Sequence, residues 1–325
     1  MRSVIKFVDL FAGAGGFSEG FEESGRFRSL LAVDSHRPVA QTYKANFPHA
    51  AVLVEDVKRV SEAVIGGIVG RDGVDLVIGS PPCEPFTGAN PRRERRPIDR
   101  LYNDPAGSLT LHFIRLVGLL RPKVFVMENV PAIMSGGLRD ALRAEFRRAG
   151  YETIYFNVLR AHEHGTPSRR TRVFVSNIPI RPARRDRRVT VEEALRGLPE
   201  PGPWPPNHDP PPRLAPRKLK RASSLRWGEA MIYYRGARRE LPNFVRLDPR
   251  DVAPTVMGSS RFIHPYENRL LTVREHARLM GFPDNFVFFG GRDEQYNMVG
   301  EAVPPPLSKA IAEYIAEVWD EVEAQ

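Results

Sequence analysis

Five short apolar runs, at residues 4–10, 30–33, 51–54, 74–78 and 123–127, alternate in the amino-terminal half with segments patterned for helices at 18–24, 38–46, 57–69, 108–120 and 138–149. Strand-sized runs separated by helix-sized ones predict an α/β fold, a sheet with helices on both faces. Each run closes on groups that can bind or react: Asp9, Asp34, Glu55 with Asp56, the turn carrying Cys83, and Glu128-Asn129-Val130. In open sheets of this kind the ligand crevice lies at the carboxyl ends of the strands. These groups should therefore converge although they are far apart in sequence.

The first run leads into Phe11-Ala12-Gly13-Ala14-Gly15-Gly16-Phe17 and then a helical stretch. Glycines let the chain turn tightly and let a ligand approach the backbone, and the following helix amino terminus offers unpaired amides. Asp34 lies 21 residues after Gly13, the spacing at which an acid can bind ribose hydroxyls. Asp9 and Asp56, each taken alone, would equally serve as caps or turn residues. Their shared placement with Asp34 draws all three toward one site.

Cys83 is the only cysteine in the chain. A single cysteine can form neither an intramolecular disulfide nor a thiolate metal cluster. Pro81 and Pro82 stiffen its turn and end strand pairing, so the thiol is expected beyond the sheet rather than packed within it. That points to a nucleophile, whose thiolate needs activating neighbours. His36, His162, His164 and His276 show no metal-ligand spacing, and no metal site is expected.

Charge points to the partner. The formal net charge is +9, from 41 arginines and only 7 lysines, and arginine suits bidentate contact with phosphate and with guanine edges. A polyanion is the natural inference, although a GC-rich genome or a thermophilic source would also enrich arginine. No run approaches the length of a membrane helix and the chain opens directly into a strand-like segment, so a cytoplasmic protein without a membrane partner is expected.

Five segments, in order, carry a specific resemblance: Asp9-Leu10-Phe11-Ala12-Gly13-Ala14-Gly15-Gly16-Phe17, Pro81-Pro82-Cys83, Glu128-Asn129-Val130, Arg170-Thr171-Arg172 and Gly300-Glu301-Ala302-Val303-Pro304-Pro305. Together they resemble the ordered motifs of the DNA cytosine-5 methyltransferases. The resemblance implies a Rossmann-like methyltransferase sheet and S-adenosylmethionine as cofactor. By similarity Phe11 packs on the adenine, Asp34 binds the ribose hydroxyls and Asp56 meets the adenine edge. Gly13, Gly15, Gly16, Val57, Pro81 and Leu109 complete the implied cofactor set.

The same resemblance assigns Cys83 as the nucleophile that adds to carbon 6 of cytosine. Glu128 is the acid beside ring nitrogen 3. Arg172, with Arg170, holds the pyrimidine oxygen and favours the thiolate. The target base must leave the duplex, so a double-stranded DNA partner and base flipping are implied. The segment from Gly88 to Arg96 reads as a mobile basic loop that closes over the DNA, with Thr87, Arg92, Arg93, Arg95 and Arg96 as DNA contacts. Three positions depart from the family pattern. Glu84 stands where glutamine usually follows the nucleophile, Ser168 where glutamine usually precedes the paired arginines, and Glu301 where asparagine is usual.

From residue 181 the character changes. Nine of the 30 prolines fall between Pro199 and Pro216, which excludes regular helix and central strand there and predicts an irregular lobe. By position this is the family's target-recognition region, with Lys218, Lys220 and Arg221 expected on phosphates, which position without specifying. Thr272 and Glu275 form a capping box for a structural helix. The expected organisation is a discontinuous catalytic domain, 1–180 with 292–325, and a recognition domain at 181–291. A monomer is expected, with a cognate restriction endonuclease as a conceivable companion. Two other functions fit parts of this pattern: a tRNA cytosine-5 methyltransferase and a catalytically silent DNA-binding regulator on the same fold.

Overall fold

The structure is a computed structural model and describes residues 3–70, 73–237 and 239–324. Seven strands form one sheet: β1 (Ile5–Leu10), β2 (Phe27–Asp34), β3 (Ala51–Val54), β4 (Leu76–Gly79), β5 (Val124–Asn129), β6 (Tyr155–Arg160) and β7 (Thr171–Ser176). Their order is β3-β2-β1-β4-β5-β7-β6. The first five run parallel, whereas β7 is antiparallel to both β5 and β6. Chain order thus reverses between β1 and β4, a switch point that opens a crevice at the carboxyl ends of these two strands.

Alternation along the strands sorts the core into two faces. Val8 and Leu10 of β1, Val77 of β4, and Phe125 and Met127 of β5 pack with α3 (Glu62–Val69), α5 (Leu109–Leu120) and α6 (Leu138–Arg148). The intervening residues Ile5, Phe7, Leu76, Ile78, Val124 and Val126 meet α1 (Gly16–Glu23) and the last helix, α11 (Pro305–Glu323). Helices therefore cover both faces, as the alternating runs predict. Helix α1 packs unusually close to α11, because a Cβ on Gly20 would lie 2.4 Å from the Pro305 carbonyl and from the Lys309 amide nitrogen.

The expected helix over 57–69 is broken in two. Asp56 caps a 3-10 turn at Val57–Arg59, and Ser61 then caps α3 by accepting the Val64 amide at 3.3 Å. The hairpin-like pair β6 and β7 adds an antiparallel margin to the sheet.

A smaller three-stranded sheet, in the order β10-β9-β8, comprises β8 (Ala230–Arg235), β9 (Glu240–Arg246) and β10 (Phe262–Ile263). The proline-dense stretch 196–215 holds turns and bends, and regular structure resumes at α8 (Pro216–Ser224). Short α4 (Asp99–Tyr102) and α7 (Val191–Leu195), with α9 (Val273–Met280) and α10 (Arg292–Glu301), complete the helices among the described residues. Thr272 and Glu275 form the capping box at α9. A third core joins Tyr43 of α2 (Arg37–Asn46) and Phe47 just after it to Phe282, Phe286, Phe288 and Val299, so the second half of the chain packs directly on the glycine-loop side of the first.

Candidate active site

The glycine loop follows β1 and takes its shape from backbone demands. Phe11 has φ 59 and Gly13 φ 55, and a Cβ on Gly13 would meet nothing within 4 Å, leaving space for a ligand. Gly15 serves differently. It precedes α1 at φ 95, and a Cβ there would lie 2.5 Å from the Phe47 ring, so it lets α2 close against the loop rather than lining the cleft. Asp34 ends β2 and braces the loop. Its Oδ2 accepts the Gly13 amide at 3.0 Å and its Oδ1 the His36 amide at 2.9 Å. Burial pushes its carboxyl up against the pull of these amides.

A cleft of about 300 Å³ opens at the switch point. Phe11, Gly13, Gly16, Asp34, Asp56, Val57, Pro81 and Leu109 line it together with Cys83, Glu128, Arg170 and Arg172. Residues as far apart in sequence as Phe11 and Val303 thus meet at one place. Asp9 is not among them. It lies buried under α1, where Ser18 donates to its Oδ2 at 2.6 Å and Tyr43 donates to Ser18 at 2.7 Å. Burial pushes the Asp9 carboxyl up to about 8.

At the other end of the cleft Cys83 follows β4. Its carbonyl accepts the amides of Phe86 at 3.0 Å and Thr87 at 2.9 Å, a tight turn that presents the thiol, while Asn129 donates to the Pro81 carbonyl at 3.2 Å. Glu128 lies at the end of the neighbouring β5, opposite Phe174 of β7, and Arg172 is two residues from Phe174 on the same face. That diagonal pairing brings Arg172 Nε to 2.8 Å from Glu128 Oε1. Both side chains are nearly buried, and Arg172 Nη1 also donates to the Thr171 carbonyl at 2.8 Å. Burial pushes the Cys83 thiol up to about 11, with Arg172 pulling it down and Glu84 and Glu128 pushing it further up.

Arg170 does something the sequence pattern does not reveal. Its Nη1 donates to the carbonyls of Val256 at 2.9 Å and Gly300 at 2.8 Å, and its Nη2 to that of Glu301 at 3.2 Å. The fully buried guanidinium therefore ties β7 to the 253–260 segment and to α10. Ser168 forms a parallel bridge with Ala253 beside it. Glu55, Glu84, Met298 and Glu301 also line the cleft; Glu55 is signalled by its place at the end of a strand and Glu84 and Glu301 by their departures from the family pattern, whereas Met298 carries no signal in the sequence.

The basic loop after Cys83 consists of turns and bends. Arg92, Arg95 and Arg96 are exposed, whereas Arg93 donates to the Phe86 carbonyl at 2.7 Å. Thr87 Oγ1 accepts the Ala89 amide at 3.3 Å. Buried Arg100 fixes the far end of the loop through the carbonyls of Glu94 at 2.7 Å and Arg95 at 3.1 Å. At its start the Gly88 carbonyl accepts the Ala237 amide at 2.8 Å, so the β8–β9 hairpin touches this loop. Lys218, Lys220 and Arg221 are exposed on α8, outside the cleft, and Lys218 lies 4.9 Å over the Phe244 ring. No helix among the described residues is long and apolar enough to cross a membrane.

Comparison with known proteins agrees with this geometry. M.MJ0563P of Methanocaldococcus jannaschii, named as a type II methyltransferase, is 47% identical over 96% of this chain and 99% of its own length. The type II methyltransferase M1.HphI of Haemophilus parahaemolyticus is 35% identical, covering 96% and 86% respectively. Among solved structures, a prophage-encoded DNA modification methyltransferase from E. coli superimposes with a TM-score of 0.78 at 26% identity, over 97% of this chain and 99% of that one. The profile of C-5 cytosine-specific DNA methylases matches residues 5–194 and 217–317. The chain belongs to the C-5 cytosine-specific DNA methylase family and is a DNA (cytosine-5-)-methyltransferase.

Proposed function

We propose that this enzyme methylates carbon 5 of cytosine within a specific double-stranded DNA sequence, using S-adenosylmethionine, base flipping and a covalent adduct of Cys83. The observation that carries the reading is the meeting of Cys83, Glu128 and Arg172 at one end of a cleft whose other end holds Phe11, Asp34 and Asp56. The residues fit that cofactor. An aromatic ring suits the adenine, the Asp34 carboxylate suits the ribose hydroxyls, and the open glycine loop admits the remaining chain. When bound, S-adenosylmethionine supplies an electrophilic methyl group.

Cytosine carbon 5 becomes nucleophilic only after addition at carbon 6. Cys83 Sγ adds there as thiolate, the 5,6 double bond opens, and the displaced electron density reaches ring nitrogen 3. Glu128 meets that nitrogen through Oε2, since Oε1 is held by Arg172. Arg172 offsets the negative charge at the thiolate and at the pyrimidine oxygen, with Arg170 behind it. After methylation, water takes the carbon 5 proton, the double bond re-forms and Sγ leaves.

The flipped base needs a held backbone, and Thr87, Arg92, Arg93, Arg95 and Arg96 on the loop, with Lys218, Lys220 and Arg221 on α8, supply the contacts. Residues 1–180 with 292–325 act as the catalytic domain and 181–291 as the recognition domain. One target base per event suits a monomer acting in the cytoplasm, either alone or beside a restriction endonuclease of the same specificity. Bisulfite sequencing of DNA from cells expressing the protein tests this reading. New 5-methylcytosine at one recurring sequence, lost in Cys83→Ala, is expected. Unmodified DNA together with methylated tRNA would refute it.

A further inference from the structure

The cleft is lined by six carboxylates, Asp34, Glu55, Asp56, Glu84, Glu128 and Glu301, against two guanidiniums, Arg170 and Arg172, and one imidazole, His36. Four of these carboxylates are engaged. Asp34 accepts two amides, Glu55 accepts the Asp56 amide at 2.8 Å, Asp56 accepts the Lys58 amide at 3.0 Å, and Glu128 pairs with Arg172. The two guanidiniums are engaged as well, Arg170 on three carbonyls and Arg172 on Glu128. Glu84 and Glu301 differ. Both are exposed at the rim of the cleft, and among the described residues neither carboxylate has a hydrogen-bond or ion-pair partner. Partial burial pushes the Glu301 carboxyl up, and the nearby Glu84 pushes it further. They are also the two positions facing the cleft where the family usually carries a neutral amide.

We propose that Glu84 and Glu301 make the cleft discriminate by charge between the cofactor and its demethylated product. The proposal rests on the S-adenosylmethionine reading above. Transfer moves the methyl carbon as a cation equivalent: the sulfur–carbon bond breaks, the electron pair stays on sulfur, and the sulfonium becomes a neutral thioether. The cofactor thus carries one positive charge more than S-adenosylhomocysteine, and otherwise the two differ by a methyl group. Unpaired carboxylates at the rim favour the charged ligand and let the neutral one leave. Glu84 directly follows the nucleophile, toward which the reacting methyl must be turned. Because both carboxylates are exposed, each contributes only what a surface pair contributes, and salt screens it.

Calorimetric titration of the full-length wild type, Glu84→Gln, Glu301→Gln and the double variant with each ligand, at low and high salt, tests the proposal. The ratio of the two dissociation constants should shift about fivefold against S-adenosylmethionine in the double variant at low salt. Each single variant should account for part of this shift, and high salt should shrink it. S-adenosylhomocysteine affinity should hardly change, which also confirms that the variants fold. An unchanged ratio with both ligands bound overturns the proposal while leaving the cofactor reading intact, as does equal weakening of both ligands, the mark of a merely structural role. A wild type that binds neither ligand overturns the cofactor reading and the proposal with it.

Discussion

Burial at the end of β4 pushes the Cys83 thiol from 9.0 up to about 11, although Arg172 pulls the other way. Each pKa unit is a tenfold change in thiolate at a given pH, so near neutrality the anion is about a hundredfold scarcer than at an ordinary thiol. On the proposed mechanism the thiol is thus held in reserve until substrate enters. Iodoacetamide labelling of the free protein should be slow at pH 8 and accelerate as the pH rises toward 11, and with one cysteine in the chain the label reports Cys83 alone. Free-thiol rates at pH 7.5 would contradict this. Arg172→Ala removes the guanidinium that opposes burial and leaves Glu128 without its partner. It should slow labelling further and cut kcat by about 100-fold or more, as single-turnover methylation would show.

At the scale of elements, two of the contacts that hold α1 against the sheet and against α11 can be tested singly. Gly20→Ala would drive a Cβ into the α11 backbone, and over-packing of this kind costs about 1–3 kcal/mol, readable by urea denaturation. Asp9 gives a pH signature. Its carboxyl is raised from 3.8 to about 8 in the native protein, so the folded state keeps a proton that the unfolded chain releases. That contribution to stability is complete below about pH 4 and is lost as the pH rises toward 8. Asp9→Asn keeps the shape but cannot titrate. Its melting temperature relative to wild type should therefore improve between pH 5 and pH 8, and a constant difference would contradict the assignment.

Much of the parallel sheet is legible in the sequence, because each strand is an apolar run that ends in a polar group and is followed by a helical period. Strand β6 escapes that reading. It is an edge strand with Tyr155 and Val158 exposed and Arg160 at its end, so it carries no continuous apolar run. The helix expected over 57–69 splits because Asp56 and Ser61 each cap a separate turn. Within the site, Cys83, Glu128 and Asp34 are legible from residue type and position after a strand. The tie of Arg170 to Val256, Gly300 and Glu301 is not, since its acceptors are backbone carbonyls and any residue there would supply them. Asp9 misleads for the opposite reason. It ends a strand like the others, but strand parity turns it toward α1 and away from the cleft.

Across the whole molecule, the net charge of +9 and the exposed arginines of the loop are the proposed determinants of phosphate binding. Binding to phosphates releases counterions, so affinity should fall steeply with salt. Replacing Arg92, Arg95 and Arg96 by alanine should flatten the slope of log K against log salt by up to about 0.9 for each phosphate no longer neutralised. Fluorescence anisotropy with duplex DNA checks this, and a slope unchanged in the triple variant would place the loop away from the phosphates. The Ala237–Gly88 hydrogen bond links this loop to the β8–β9 hairpin, so the loop that follows Cys83 touches the second sheet.

The central claim is that Cys83 bonds to a cytosine carried in DNA. Duplex DNA substituted with 5-fluorocytosine tests it most directly, because fluorine cannot leave as the carbon 5 proton does and the adduct cannot resolve. With S-adenosylmethionine present, the account predicts a denaturation-resistant protein–DNA complex, mapped to Cys83 by peptide mass spectrometry and absent from Cys83→Ala. A wild-type protein that methylates the unsubstituted duplex yet forms no such complex, or an adduct on any other residue, would contradict it.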